Sequence, residues 1–467
     1  MSRARAPSVG DVIPVAQLCA IAVALCVAAF ATEAMAQAAL PRFDGMAHLG
    51  VASCAGPCHA RQSALGVATG AAMRGSEVVV WQDQDSTRGR HAEAYNVLLE
   101  PRSRAIARKL GIAAPERAGE CLSCHADLIP ADKRGARFQL SDGVGCESCH
   151  GGAETWLTSH AAPDATHARN LADGMYPTSD IAARARLCVS CHVGAAAPDQ
   201  FVTHRIMGAG HPRLSFEVEL FTSLQMHHVE DADYAARKPV HGRARVWAIG
   251  QAVALRASVD LFLRSERERR GLFPELSFFD CHSCHRPISD SADYASRWTP
   301  NPARPLGPGS APFNDANLMV LVAAARAFTP ALADDLDAAG RAFHAAALGT
   351  GEERQRTGAA LSAALSRVVT AFGSASLSPE RTEAALRAIV AETQAERYTS
   401  YGAAEQAVMA VDSLSRALVD AGGPRRVAAE RARAAIEAAY RAVDDPNTYD
   451  PAEFQRAVAD IAARWGA

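Results

Sequence analysis

The residues of this chain best equipped for chemistry are its cysteines and histidines, and their spacing is regular. Cys121 and Cys124 precede His125, Cys146 and Cys149 precede His150, Cys188 and Cys191 precede His192, and Cys281 and Cys284 precede His285. Cys54 and Cys58, with three residues between them, precede His59. Two thiols three positions apart share one side of a helical turn. They can form thioethers to both vinyl groups of one haem, while the histidine that follows aims its imidazole at the iron. The wider Cys54 pair does the same if its loop bulges. Paired cysteines also build tetrahedral zinc sites, and export favours disulfides. Neither alternative demands a histidine after every second cysteine. Independent placement would give on the order of 0.01 such motifs per chain. The pattern predicts five covalently attached haem c groups.

Low-spin haems that carry electrons usually take a second strong axial ligand. Of the 16 histidines, eleven remain after the five motif residues are set aside. Four are the best placed. His91 opens a helical segment between the first two motifs, His160 follows the third motif, and His204 and His211 follow the fourth. His228 and His241 come next. His227, His167, His48 and His282 rank lower, and His344, in a cysteine-free region, reads as a surface histidine. Which distal histidine serves which haem stays open at this level, as does whether every iron has a sixth ligand.

The run Gly143-Val144-Gly145-Cys146-Glu147-Ser148-Cys149-His150-Gly151 resembles the haem segment of the cytochrome c-554 family. That family groups with hydroxylamine oxidoreductase and pentahaem nitrite reductase. The tract from Trp81 through His91 to Leu98, the tract from Gly210 to Glu217, and Asp280 to His285 fit large exported multihaem cytochromes of this type. The resemblance covers about residues 45–290. It implies haems packed in close pairs, mostly with two histidine ligands, in a helical, loop-rich body. It also admits electron carriers in which one iron lacks a distal ligand. The chain departs from the enzymes of the group. The nitrite reductase replaces one motif histidine by lysine, whereas all five motifs here end in histidine. Five motifs are also too few for hydroxylamine oxidoreductase.

The elements that must position these groups read as mainly α: a loop-rich multihaem cytochrome domain followed by an Ala-rich helical bundle. Residues 1–36 read as a signal peptide. Arg3 and Arg5 precede an apolar run from Val12 to Phe30, and Ala34-Met35-Ala36 matches a cleavage pattern. Cys19 and Cys26 lie inside this segment and would be removed with it. Left uncleaved, the segment would anchor the protein to the inner membrane. The pentahaem region is expected over residues 37–300, with one long helix from about Arg243 to about Arg269, where apolar residues recur at helical spacing. A Pro/Gly-rich linker follows at 301–314. Residues 315–467 read as an antiparallel bundle. Ser378-Pro379 and Asp450-Pro451 serve as helix starts there, and Gly422-Gly423-Pro424 as a break.

Net charge is −3 and aromatic content only 6%. No basic run recommends nucleic-acid binding, and bound haem would supply bulk that the side chains lack. The expected function is periplasmic electron transfer between redox partners, such as a quinol dehydrogenase or soluble cytochromes, with no catalytic residue assigned. Two other readings compete with it. One is a multihaem oxidoreductase acting on a small nitrogen or sulfur compound at a five-coordinate haem. The other is a docking subunit of a membrane-linked complex. The distal ligand count separates carrier from enzyme.

Overall fold

The computed structural model describes residues 38–56, 58–61, 74–197, 199–267, 275–285, 304, 306, 310–347, 349–395 and 400–466. The leader expected at residues 1–36 lies outside them, as does half of the expected linker at 301–314. Leu40–Ala467 forms one compact unit. The fold is mainly α. Strand-type pairing among the described residues includes the isolated bridges of His48 with Arg134 and Phe279 with Phe313.

The motif-bearing half consists of short helices joined by loops and 3-10 turns. They are α1 (Val51–Cys54), α2 (Glu77–Trp81), α3 (Pro101–Leu110), α4 (Gly119–His125), α5 (Glu147–His150), α6 (His167–Ala172), α7 (Ile181–His192), α8 (His204–Gly208), α9 (Val218–Gln225) and α10 (Ala232–Arg237). Two small apolar clusters serve this half, one around Val51, Val78 and Trp81 and the other around Leu98, Leu122 and Ala126.

The long helix expected in the middle is present as α11 (Arg243–Arg267). Its span Arg243–Arg264 is long and apolar enough to cross a membrane by composition alone, yet 72% of that window is buried inside the protein. Trp247, Leu255, Val259 and Phe262 are almost wholly enclosed, so α11 is the spine of the core. It packs on one side against α7 and α9. On the other it meets helices of the C-terminal half, which are α12 (Ala316–Phe328), α13 (Pro330–Ala347), α14 (Gly351–Ser374), α15 (Pro379–Gln394), α16 (Tyr401–Ala421), α17 (Gly423–Ala442) and α18 (Pro451–Gly466). Close approach is bought with glycine. A Cβ at Gly250 would lie 2.5 Å from Val218 Cβ, and one at Gly358 2.7 Å from Leu263. One hydrophobic core therefore runs unbroken from Ile181 on α7 to Trp465 on α18.

The helix boundaries follow local chemistry. The Ser378 hydroxyl accepts from Arg381 N, with Pro379 at the first helical position. The Asp450 carboxylate accepts from Ala452 N. Gly422 and Gly423 take left-handed φ values of 74° and 67° between α16 and α17, as a chain reversal there requires. His344 corrects the sequence reading. It is buried, not on the surface: its Nε2 donates to Asp315 Oδ2 at 2.9 Å, and Asp315 also pairs with buried Arg304. The Ala-rich composition hid a polar triad whose arginine comes from the linker and whose acid opens the bundle.

Candidate haem sites

Each motif sits on or beside a turn of helix. Cys121, Cys124 and His125 lie on α4, and Cys188, Cys191 and His192 on the last turn of α7. Cys146 caps α5, which carries Cys149 and His150. Cys54 ends α1, with Cys58 and His59 just beyond a turn, and Cys281 opens the 3-10 turn Cys281–Ser283 ahead of Cys284 and His285. None of the ten motif cysteines is joined to another by a disulfide.

The structure then brings a second imidazole opposite every motif histidine. Ring centres are 6.2 Å apart for His59 and His160, and 6.2 Å for His192 and His91. They are 6.4 Å apart for His125 and His211, and 6.0 Å for His285 and His204. The fifth pair is His150 with His228 at 5.7 Å. Nitrogen–metal bonds of about 2.0 Å on each side of one metal, plus the offset from nitrogen to ring centre, would set facing rings about 6 Å apart. The four best-placed distal candidates all face a motif histidine. The fifth partner, His228, sits in the doublet His227-His228, whose rings are 4.1 Å apart. The nitrogens of His150, His227 and His228 all lie within 4.8 Å of one another. The sequence offered one signal for this pair. Five motifs need five partners, and a histidine doublet is the densest supply left over.

Hydrogen bonding separates paired from unpaired histidines. His59, His125, His160 and His211 engage Nδ1, with Glu77, Ala94 O, Trp156 O and Pro212 O respectively, which leaves Nε2 for a metal. The histidines outside the pairs mostly spend Nε2 on protein. His241 reaches Ser179 O, His167 reaches Ser179 Oγ, His282 reaches Pro446 O and His344 reaches Asp315. Buried His48 engages both nitrogens, with Asp127 and Pro41 O. Burial pushes His150 down to about 3 and His192 to about 4, so these rings are neutral, the form in which imidazole offers a lone pair to metal. The Glu77 hydrogen bond instead raises His59, as a carboxylate behind a ligating histidine does.

Thiols of different motifs meet. The Cys54 thiol lies close enough to Cys146 to interact with it, as does Cys124 with Cys191. Cys149 is close enough to Cys188 and Cys191 for their charges to interact. The first motif thus lies beside the third, the third beside the fourth, and the fourth beside the second. A cavity lined by His192, Phe201, Met207, Arg213, Phe216 and Cys281 joins the fourth motif to the fifth.

Two supporting roles escaped the sequence reading. Glu147, between the cysteines of the third motif, accepts from the backbone N–H groups of Leu49, Gly50 and Ala153 at 2.7–2.8 Å. It fastens the entry to the first motif against the third. In the tract from Gly210 to Glu217, Phe216 stacks on His192 at 4.5 Å. The tract is bolted to α16: Gln406 donates to Phe216 O, Ser413 donates to Glu217, and Arg213 pairs with Glu405.

The pairs, the free Nε2 atoms and the adjacent thiols fit haem c. Comparison with known proteins agrees: residues 76–151 match the family described as cytochrome c554 and c-prime. The match supports reading the chain as a cytochrome of the c554 type. The matched stretch holds His91 and the second and third motifs entire. No curated protein and no solved structure matches the chain. The cytochrome is accordingly a c-type electron-transfer protein with covalently bound haem.

Proposed function

We propose that this cytochrome is an exported carrier holding five haems, each iron with two histidine ligands. The observation that carries this reading is that every motif histidine faces a second imidazole at 5.7–6.4 Å. His59 with His160, His125 with His211, His150 with His228, His192 with His91, and His285 with His204 would be the axial sets. The ten cysteines would be the thioether anchors. Bound there, each haem iron supplies one-electron chemistry between its ferric and ferrous states.

Proximity among the chain's own thiols supports an order of the sites. Touching thiols favour the sequence first, third, fourth and second motif, with the fifth beside the fourth. Glu77, Ala94 O, Trp156 O and Pro212 O orient their rings, and Phe216 shields His192. An oxidoreductase would need an iron with one open face. A second imidazole faces each motif histidine, which favours carrier over enzyme. Export to the periplasm through residues 1–36 suits both the covalent haem and the redox partners, a quinol dehydrogenase or other cytochromes.

Holoprotein from a maturation-competent periplasm should give five haems per chain by pyridine haemochrome. Its electron paramagnetic resonance spectrum should show low-spin ferric iron alone. The double variant C121A/C124A should lower the count to four. A high-spin signal that shifts with nitrite or hydroxylamine would reverse the choice between carrier and enzyme.

A further inference from the structure

The cytochrome is acidic overall, with 51 Asp and Glu against 48 Lys and Arg, and haem propionates would add to that excess. One surface runs the other way. Helix α3 reads Pro-Arg-Ser-Arg-Ala-Ile-Ala-Arg-Lys-Leu and contains four cations and no acid. Arg102, Arg104, Arg108 and Lys109 are all exposed. None of them is ion-paired with a described carboxylate. Arg108 and Lys109 sit in the last turn, where the helix dipole favours positive charge.

The basic helix abuts the second motif's imidazole pair. Arg102 donates to Gly210 O, one residue before His211, and Arg205 on α8 donates to Leu110 O at the helix end. The turn leading into α3 adds an apolar centre. Leu98 is buried against Leu122, Tyr95 and Cys121, while its neighbours Val97 and Leu99 are 39% and 40% exposed. Ala94, in the same stretch, accepts the hydrogen bond of His125 Nδ1. An exposed apolar pair, followed by exposed Glu100 and then by the cations of α3, therefore lies beside one candidate redox site. This is the anatomy of a transient interface, with a small apolar contact and charged flanks that steer the encounter.

We propose that Val97, Leu99 and the cations of α3 form the docking face through which an acidic redox protein exchanges electrons with the second motif's haem. The proposal rests on the carrier reading above. Charge complementarity selects the partner. An acidic face is drawn to this patch, and a basic protein is repelled by it even though the rest of the cytochrome attracts it. Only one electron passes per encounter, from a reduced donor to a ferric iron or from a ferrous iron to an oxidised acceptor, and no proton or bond change is required.

The test uses holoprotein and two variants, R104E/R108E/K109E and V97S/L99S, each checked for unchanged haem content. The probe is a reduced flavodoxin, an acidic one-electron donor, mixed in stopped flow at low ionic strength. The expected result is at least about a ten-fold drop in second-order rate for the charge-reversal variant. The wild-type rate should fall as salt rises, and the variant's should not. V97S/L99S should slow the reaction and keep the salt slope. Photoreduced lumiflavin, small and neutral, should reduce all three proteins at one rate. An unchanged flavodoxin rate in the charge-reversal variant overturns the docking face. So does a variant that loses binding to phosphatidylserine vesicles while keeping the flavodoxin rate, because the patch would then serve a lipid surface. Absence of haem at Cys121 and Cys124 overturns the carrier reading along with the docking face.

Discussion

Replacing Glu147 tests how the first and third motifs are held together. Its Oε1 accepts from Leu49 N at 2.8 Å and from Ala153 N at 2.7 Å, and its Oε2 from Gly50 N at 2.7 Å. Gly50 has φ +91°, and a Cβ there would strike Arg137 O at 2.3 Å, so this turn has little room to rearrange. In Glu147→Gln one oxygen keeps two of the bonds, while the new amide group points a donor at the Gly50 N–H. Hydrogen bonds to charged groups are worth about 1.5–3 kcal/mol each, and a donor left facing a donor costs about as much. The expected loss is therefore about 2–4 kcal/mol for Gln, and about 3–6 kcal/mol for Glu147→Ala, which strands all three N–H groups. Guanidinium unfolding of the holoprotein, followed by Soret absorbance, measures it. Glu120, exposed just before Cys121, is the control: Glu120→Gln should change stability by less than about 0.5 kcal/mol. A loss below about 1 kcal/mol for Glu147→Ala would refute the idea that this carboxylate clamps the two motifs.

Burial raises the Glu217 carboxyl to about 7, above the 4.5 it would have unfolded. A raised folded value means stability present below the unfolded pKa and lost as pH climbs towards 7. Glu217→Gln should flatten that decline, so wild type and variant should diverge in denaturant midpoint between pH 5 and pH 7.5; parallel curves would contradict it. His228→Ala should turn one haem high-spin while His227→Ala leaves all of them low-spin, as read by electron paramagnetic resonance. The opposite outcome would assign the ligand to His227. Gly358→Val should cost about 1–3 kcal/mol by forcing Leu263 aside. A midpoint no lower than wild type would mean that α11 and α14 are not tightly apposed.

The cysteine pairs and their histidines were legible in the sequence because thioether attachment is a local constraint, written in consecutive residues. Partner histidines were legible as candidates but not as pairs. His91 faces His192 on the fourth motif and not the neighbouring first or second, a choice made by packing between segments distant in sequence. His211 and His228 both lie in loops, where nothing local marks a ligand, and His211 ranked higher only for its nearness to the fourth motif. His344 was misread for the converse reason: its partners Asp315 and Arg304 approach from an irregular stretch where no periodicity announces burial. The long helix Arg243–Arg267 and the break at Gly422-Gly423 were visible in periodicity and punctuation. The unbroken core was not, since an amphipathic helix does not name the surface it will cover.

His282 lies between the last two cysteines, donates to Pro446 O and packs beside Tyr401 and Tyr449. With α11 filling the space between the halves, the last cysteine pair is sewn to residues 401–449. The surroundings of the fifth pair are therefore complete only once residues 401–449 have packed against it. Severing the polypeptide near residue 310 would not liberate a smaller working cytochrome. It would leave two sticky fragments, each missing the wall against which the other solidifies.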